Sequence, residues 1–161
     1  MKVCQELGWH VVGLQETRRY GHSTVTAAGC TLFCSEADGS KSECKGTHGV
    51  GLAVRESIVA GVDKDGLVVE LISARLMKIR IQLAGKSNGV SFVVGYALTL
   101  GSLVREKYKF LNTLDNVVAG VPSGDPLLVL MDANARTGKR ENGCADRKVL
   151  GSYRYLLFIL D

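Results

Sequence analysis

No apolar stretch among the 161 residues approaches the roughly 18 that a membrane-spanning helix needs; the longest are short runs such as Leu127 to Met131. The first residues alternate polar and apolar without a basic flank and an apolar core, so no secretory signal is expected. Large net charge is also missing. A balance of +4 with 46% hydrophobic residues argues against intrinsic disorder. Neither an internal repeat nor an interdomain linker interrupts the chain. The expectation is one globular domain without a membrane partner, in an intracellular location that includes the nucleus.

Several familiar catalytic signatures are absent too. There is no Gly-x-Ser-x-Gly elbow for a serine hydrolase. Gly85-Lys86-Ser87 mimics the end of a phosphate-binding loop, but Arg80 stands where that loop needs its first glycine, so a hairpin turn is expected. Gly49-Val50-Gly51 lacks the third glycine of a dinucleotide fingerprint. The five cysteines are odd in number and carry no secretory context, which favours reduced thiols over a disulfide framework. Cys30, Cys34, Cys44 and His48 have a loosely zinc-like spacing. Cys30 to Cys34 reads as a strand, however, and at roughly 3.3 Å per residue its two sulfurs would lie about 13 Å apart. Ligands bound at about 2.3 Å from one zinc ion cannot be so distant.

The hydropathy pattern reads as strands followed by a helix and a further strand. Met1 to Leu7 could end a helix, and His10 to Gln15 forms a strand-like run that stops at Glu16. Cys30 to Cys34 and Val50 to Val54 read as the next two strands, joined by a Gly/Ser/Lys-rich hairpin connection. Met77 to Leu83 alternates strictly, so this strand should bury one face and wet the other. Gly85 to Gly89 then turns the chain into a partner strand, Val90 to Val94. From Leu103 to Val118 the period becomes helical, with Val104, Tyr108, Leu111, Leu114 and Val118 forming one apolar stripe. Leu127 to Met131, apolar throughout, reads as a central strand.

Charge is unevenly spread. Between Arg136 and Arg154 stand six basic residues (Arg136, Lys139, Arg140, Arg147, Lys148, Arg154) against Glu141 and Asp146, which equals the net charge of the whole chain. Such a segment suits a polyanionic partner such as nucleic acid, although a solvated loop explains its composition equally well.

Three strands end in polar groups that packing alone does not require: Gln15-Glu16, Tyr96, and Asp132 with Asn134 two residues later. In layered folds, functional groups collect on loops just beyond strand ends. Carboxylates converging there could hold Mg²⁺, a hard cation that prefers oxygen ligands and keeps several waters. Taken singly, Glu16 and Asp132 read more simply as solvated turn residues; the three strand ends together point to a site.

Four short motifs occur in an informative order: Leu14-Gln15-Glu16-Thr17, Gly49 to Val54, Gly95-Tyr96-Ala97-Leu98-Thr99, and Met131-Asp132-Ala133-Asn134-Ala135. Together they resemble the endonuclease/exonuclease/phosphatase superfamily. The likeness is nearest to the endonuclease domains of non-LTR retrotransposons and the related craniofacial development protein 2-like sequences, the stretch from Asp132 to Gly151 in particular. This resemblance implies an α/β (α+β) fold, a four-layer sandwich of two mixed β-sheets flanked by helices, here incomplete. It also implies Mg²⁺-dependent cleavage of phosphodiester bonds, with Mn²⁺ as an alternative ion and DNA as the partner. Glu16 matches the family's metal-binding glutamate, and Tyr96 the tyrosine that contacts the scissile phosphate. Asp132 matches the aspartate that activates the attacking water, and Asn134 the asparagine that helps position water and phosphate. Arg136, Lys139 and Arg140 would then contact nucleic acid.

Some family features are missing. Met131, Ala133 and Leu98 replace the usual glycine, aromatic residue and proline. The chain has no counterpart to the family's first-strand asparagine or to its closing aspartate and histidine. His10, His22 and His48 all precede Tyr96, so by order none matches that histidine. The expected organisation is a partial domain over residues 1–152 and a divergent apolar tail over 153–161, such as a frameshift or retained intron would leave. Unpaired edges and uncovered faces are expected to make the fold marginally stable. Two functions stay open: a retroelement-derived DNA endonuclease, or a catalytically dead partial domain that at most binds polyanions.

Overall fold

The computed structural model describes residues 8–19, 23–35 and 48–134. Among these residues eight strands form two four-stranded sheets that pack face to face. In the first sheet, β1 (Val11–Gln15), β4 (Val50–Arg55), β3 (Cys30–Cys34) and β2 (Ser23–Ala27) are adjacent in that order, every pair antiparallel. The second sheet runs β5 (Val62–Ser73), β6 (Leu76–Leu83), β7 (Val90–Tyr96), β8 (Leu127–Asp132). It is mixed, because β8 joins β7 in parallel while the other pairs are antiparallel. A single turn, α1 (Glu56–Val59), follows β4, and α2 (Val104–Ala119) makes the crossover from β7 to β8. This is the α+β arrangement of packed sheets expected from the sequence.

Alternation along the strands builds the core. Val50, Leu52 and Val54 of β4 face Met77, Ile79 and Ile81 of β6 and Phe92 and Val94 of β7. The β6 pattern buries one face as expected, while its polar positions are held by partners: Lys78 pairs with Glu70 at 2.8 Å, and Arg80 with Asp125. Tyr96 is the last inward residue of the row Phe92, Val94, Tyr96, so its ring closes the end of the core. On the outer face of the second sheet, Phe110, Leu114 and Val117 of α2 cover Leu76 and Val93. Leu32, Cys34 and Ala53 form a smaller buried cluster with Val12 and Leu14 of the first sheet. Among the described residues no helix is long and apolar enough to cross a membrane.

The structure departs from the sequence pattern at two elements. The side of α2 that packs is Phe110-Leu114-Val117; of the expected stripe Leu114 lies on it, whereas Val104, Tyr108 and Leu111 are exposed. Helix α2 carries apolar residues on two sides, and periodicity alone does not say which side meets the sheet. Likewise β8 is an edge strand of the described sheet rather than a central one, with Leu127, Leu128 and Val129 exposed by 36%, 42% and 44%. An all-apolar run signals burial on both faces, but not which neighbour supplies it. The expected N-terminal helix end, the interior of the β3–β4 connection and the divergent tail lie outside the described residues.

Candidate active site

Three strand ends meet at one end of the sandwich. β1 stops at Gln15, and the chain turns away through Glu16 and Arg18, both left-handed at φ 52° and 50°. This segment is fastened to the start of β4: Thr17 N donates to Gly49 O at 3.0 Å, and Arg18 N to His48 O at 2.9 Å. Gly49 N in turn donates to Ala74 O at 2.9 Å, which ties the first sheet to the β5–β6 turn of the second. In the second sheet Tyr96 and Asp132 are register partners on parallel strands, so their side chains leave the same face of the sheet. Asp132 O accepts from Ala97 N at 2.9 Å, and Asp132 Oδ1 accepts from Asn134 N at 2.9 Å.

The central contact crosses between the sheets. Tyr96 Oη donates a hydrogen bond to Glu16 Oε1, and Arg18 Nη2 donates to Glu16 Oε2 at 2.7 Å. The Tyr96 hydroxyl first, and the Arg18 guanidinium after it, hold the Glu16 carboxyl below the usual carboxylate range. The same hydrogen bond pushes the Tyr96 phenol up, with burial adding to it and the Asn134 amide opposing. At neutral pH the site therefore presents an ionised, exposed carboxylate against a protonated phenol. Asn134, at φ 46°, donates its amide Nδ2 to Ala97 O at 2.6 Å.

Glu16, Tyr96, Asp132 and Asn134 are thus gathered as the sequence pattern suggested, while Arg136, Lys139 and Arg140 lie outside the described residues. Two further members escape sequence reasoning. His48 stacks tilted against Tyr96 with ring centroids 5.9 Å apart, and Arg75 sits with its guanidinium 5.0 Å from the centre of the Tyr96 ring. Arg75 Nη2 also contacts His48 Nε2. Both flank predicted strands without any local signal; the pairing of β6 with β7 brings Arg75 beside Tyr96, and the meeting of the two sheets brings His48.

Backbone strain is concentrated here. Five described non-glycine residues have left-handed φ, and Glu16, Arg18, His48 and Asn134 are four of them. Such conformations cost about 1–3 kcal/mol each and persist where surrounding structure holds them, as at functional sites.

The donor set suits a hard divalent cation in a limited way. Among the described residues no three His, Cys, Asp or Glu side chains gather into a self-sufficient metal cage. Mg²⁺ needs no such cage, because it keeps several waters and is held by one or two carboxylates. Glu16 is ionised and exposed, and beside it Thr17 Oγ1 is buried without a hydrogen-bond partner among the described residues. Cys30 and Cys34, by contrast, are buried along β3, an extended strand. No protein-family model matches the chain, and no curated protein matches it.

Proposed function

We propose that this chain is a Mg²⁺-dependent phosphodiesterase of the endonuclease/exonuclease/phosphatase type, a retroelement-derived endonuclease acting on DNA. The observation that carries the reading is the bond from Tyr96 Oη to Glu16 Oε1, with Asp132 in register beside Tyr96. It joins in one place four residues that the family resemblance selects from positions 16 to 134.

In this reading Glu16 holds the cation, Mg²⁺ or Mn²⁺. Such an ion, when bound there, would supply positive charge to the oxygens of the reacting phosphate. Asp132 accepts the proton of the attacking water, a role open to a positioned carboxylate. Asn134, fixed by one amide N–H on Ala97 O, offers its second N–H to the phosphate oxygens on which charge develops, and the protonated Tyr96 hydroxyl offers its one O–H to them when it turns from Glu16. Arg136, Lys139 and Arg140 hold the flanking phosphates through charge.

Nicking of supercoiled plasmid in Mg²⁺ or in EDTA, by this chain and by Asp132→Ala, tests the reading. Nicking that needs Mg²⁺ and is lost in Asp132→Ala is the expected result. Equal behaviour of the two proteins overturns it and leaves a polyanion-binding domain.

A further inference from the structure

We propose that Arg75 is the positioning residue of this site, setting Tyr96 and Asn134 in register with one another through a single guanidinium. Its consequence for catalysis rests on the phosphodiesterase reading; its structural part does not.

Arg75 lies in the turn between β5 and β6, outside all four motifs that carry the family resemblance. Its guanidinium meets the site on several sides. The carbon at its centre is 5.0 Å from the centroid of the Tyr96 ring. Nη1 donates at 3.3 Å to Tyr96 O and at 3.3 Å to Ala97 O. Nη2 meets His48 Nε2, and His48 itself leans on the Tyr96 ring. The backbone of Arg75 adds a further tie, its carbonyl accepting from Tyr96 N at 2.9 Å.

Ala97 O couples Arg75 to Asn134. It accepts from Arg75 Nη1 and, at 2.6 Å, from Asn134 Nδ2. A displacement of the guanidinium therefore moves the acceptor that orients the Asn134 amide, together with the ring that carries the Tyr96 hydroxyl. Both are groups assigned to the phosphate. Arginine is the side chain able to make this set of contacts at once, because its planar fork directs several N–H groups while its face lies on an aromatic ring. A lysine ammonium keeps the charge but is a point donor on a flexible stem, and it lacks the plane.

The test compares wild type with Arg75→Lys and Arg75→Gln, each corrected for its folded fraction by a thermal melt. The first readout is Mg²⁺-dependent hydrolysis of bis(p-nitrophenyl) phosphate. The expected result is a fall in kcat of about 100-fold with KM changed little, as a small misplacement of catalytic groups produces, and no rescue by lysine. Wild-type kcat in Arg75→Lys, or a loss that merely follows the folded fraction, overturns the proposal. The second readout does not depend on turnover. In NMR spectra of Arg75→Gln, the Tyr96 ring and Asn134 side-chain amide signals should shift while amides of α2 stay in place. If the wild type hydrolyses nothing, the phosphodiesterase reading fails alone. Unmoved Tyr96 and Asn134 signals then overturn the positioning role as well, and shifted ones sustain it.

Discussion

Gly13 of β1 lies so close to Leu130 of β8 that a Cβ at position 13 would stand 2.7 Å from the Leu130 Cβ. Real side chains do not approach to that distance, so glycine is what lets an edge strand of one sheet pass directly over an edge strand of the other. The contact falls three residues before Glu16 and two before Asp132, and together with the bond that Gln15 Nε2 donates to Leu130 O at 3.4 Å it braces those two strand ends.

Gly13→Ala should therefore be destabilising, although alanine ordinarily suits a strand interior better than glycine by about 0.5–1 kcal/mol. Overpacking of this kind costs about 1–3 kcal/mol. Urea unfolding checks the sign: a lower midpoint is expected, and an unchanged or higher one would show that β1 and β8 can separate freely.

Phe110 and Tyr108 make a second comparison. Phe110 is buried against Leu76 and Val93, whereas Tyr108 is 63% exposed. Phe110→Ala should cost about 3–5 kcal/mol and Tyr108→Ala less than about 0.5 kcal/mol. The sequence stripe through Tyr108 implies the reverse order, so chemical denaturation of the two variants decides which face of α2 packs.

How much was legible in advance follows from where each signal resides. Strands β1, β3, β4 and β7 announce themselves by short apolar runs and β6 by strict alternation, and the structure places them within a residue or two of the expected bounds. β2 is missed because Ser-Thr-Val-Thr-Ala is mostly polar; its pairing with β3 makes it a strand. β5 is obscured because Asp63-Lys64-Asp65-Gly66 interrupts its alternation, and its register with β6 slips between Val62 and Leu67. At the site, Glu16, Tyr96, Asp132 and Asn134 were legible as polar endings to apolar strands and through family resemblance. Arg75 and His48 were not, since a turn arginine carries no pattern until β6 pairs with β7, nor a loop histidine until the two sheets meet.

The loop before β8 is pinned by a buried carboxylate, and this makes stability depend on pH. Asp125, 2% exposed at its side chain, accepts from Arg80 Nε at 2.6 Å, Arg80 Nη2 at 3.1 Å and Gly89 N at 2.9 Å. The Arg80 guanidinium, foremost among these, holds the Asp125 carboxyl below its usual range. A carboxyl whose folded pKa is depressed contributes stability that is full above its unfolded value, about 3.9, and lost as pH falls through the folded value. Melting temperature should therefore decline below about pH 4 in the wild type. Asp125→Asn should melt lower at pH 7, by on the order of 5 °C, with a shallower decline in acid. Parallel acid profiles for the two proteins would refute this role.

In the proposed function Glu16 and Asp132, from different sheets, serve one reaction. The most direct measurement is Mg²⁺-dependent plasmid nicking by wild type, Glu16→Gln, Asp132→Ala and the double variant, with rates corrected for folded fraction. Residues that act as a unit give strongly non-additive losses. The account predicts that either single variant abolishes most of the activity and that the double variant loses little more. Absence of nicking by the wild type, or two losses that simply multiply, would contradict it.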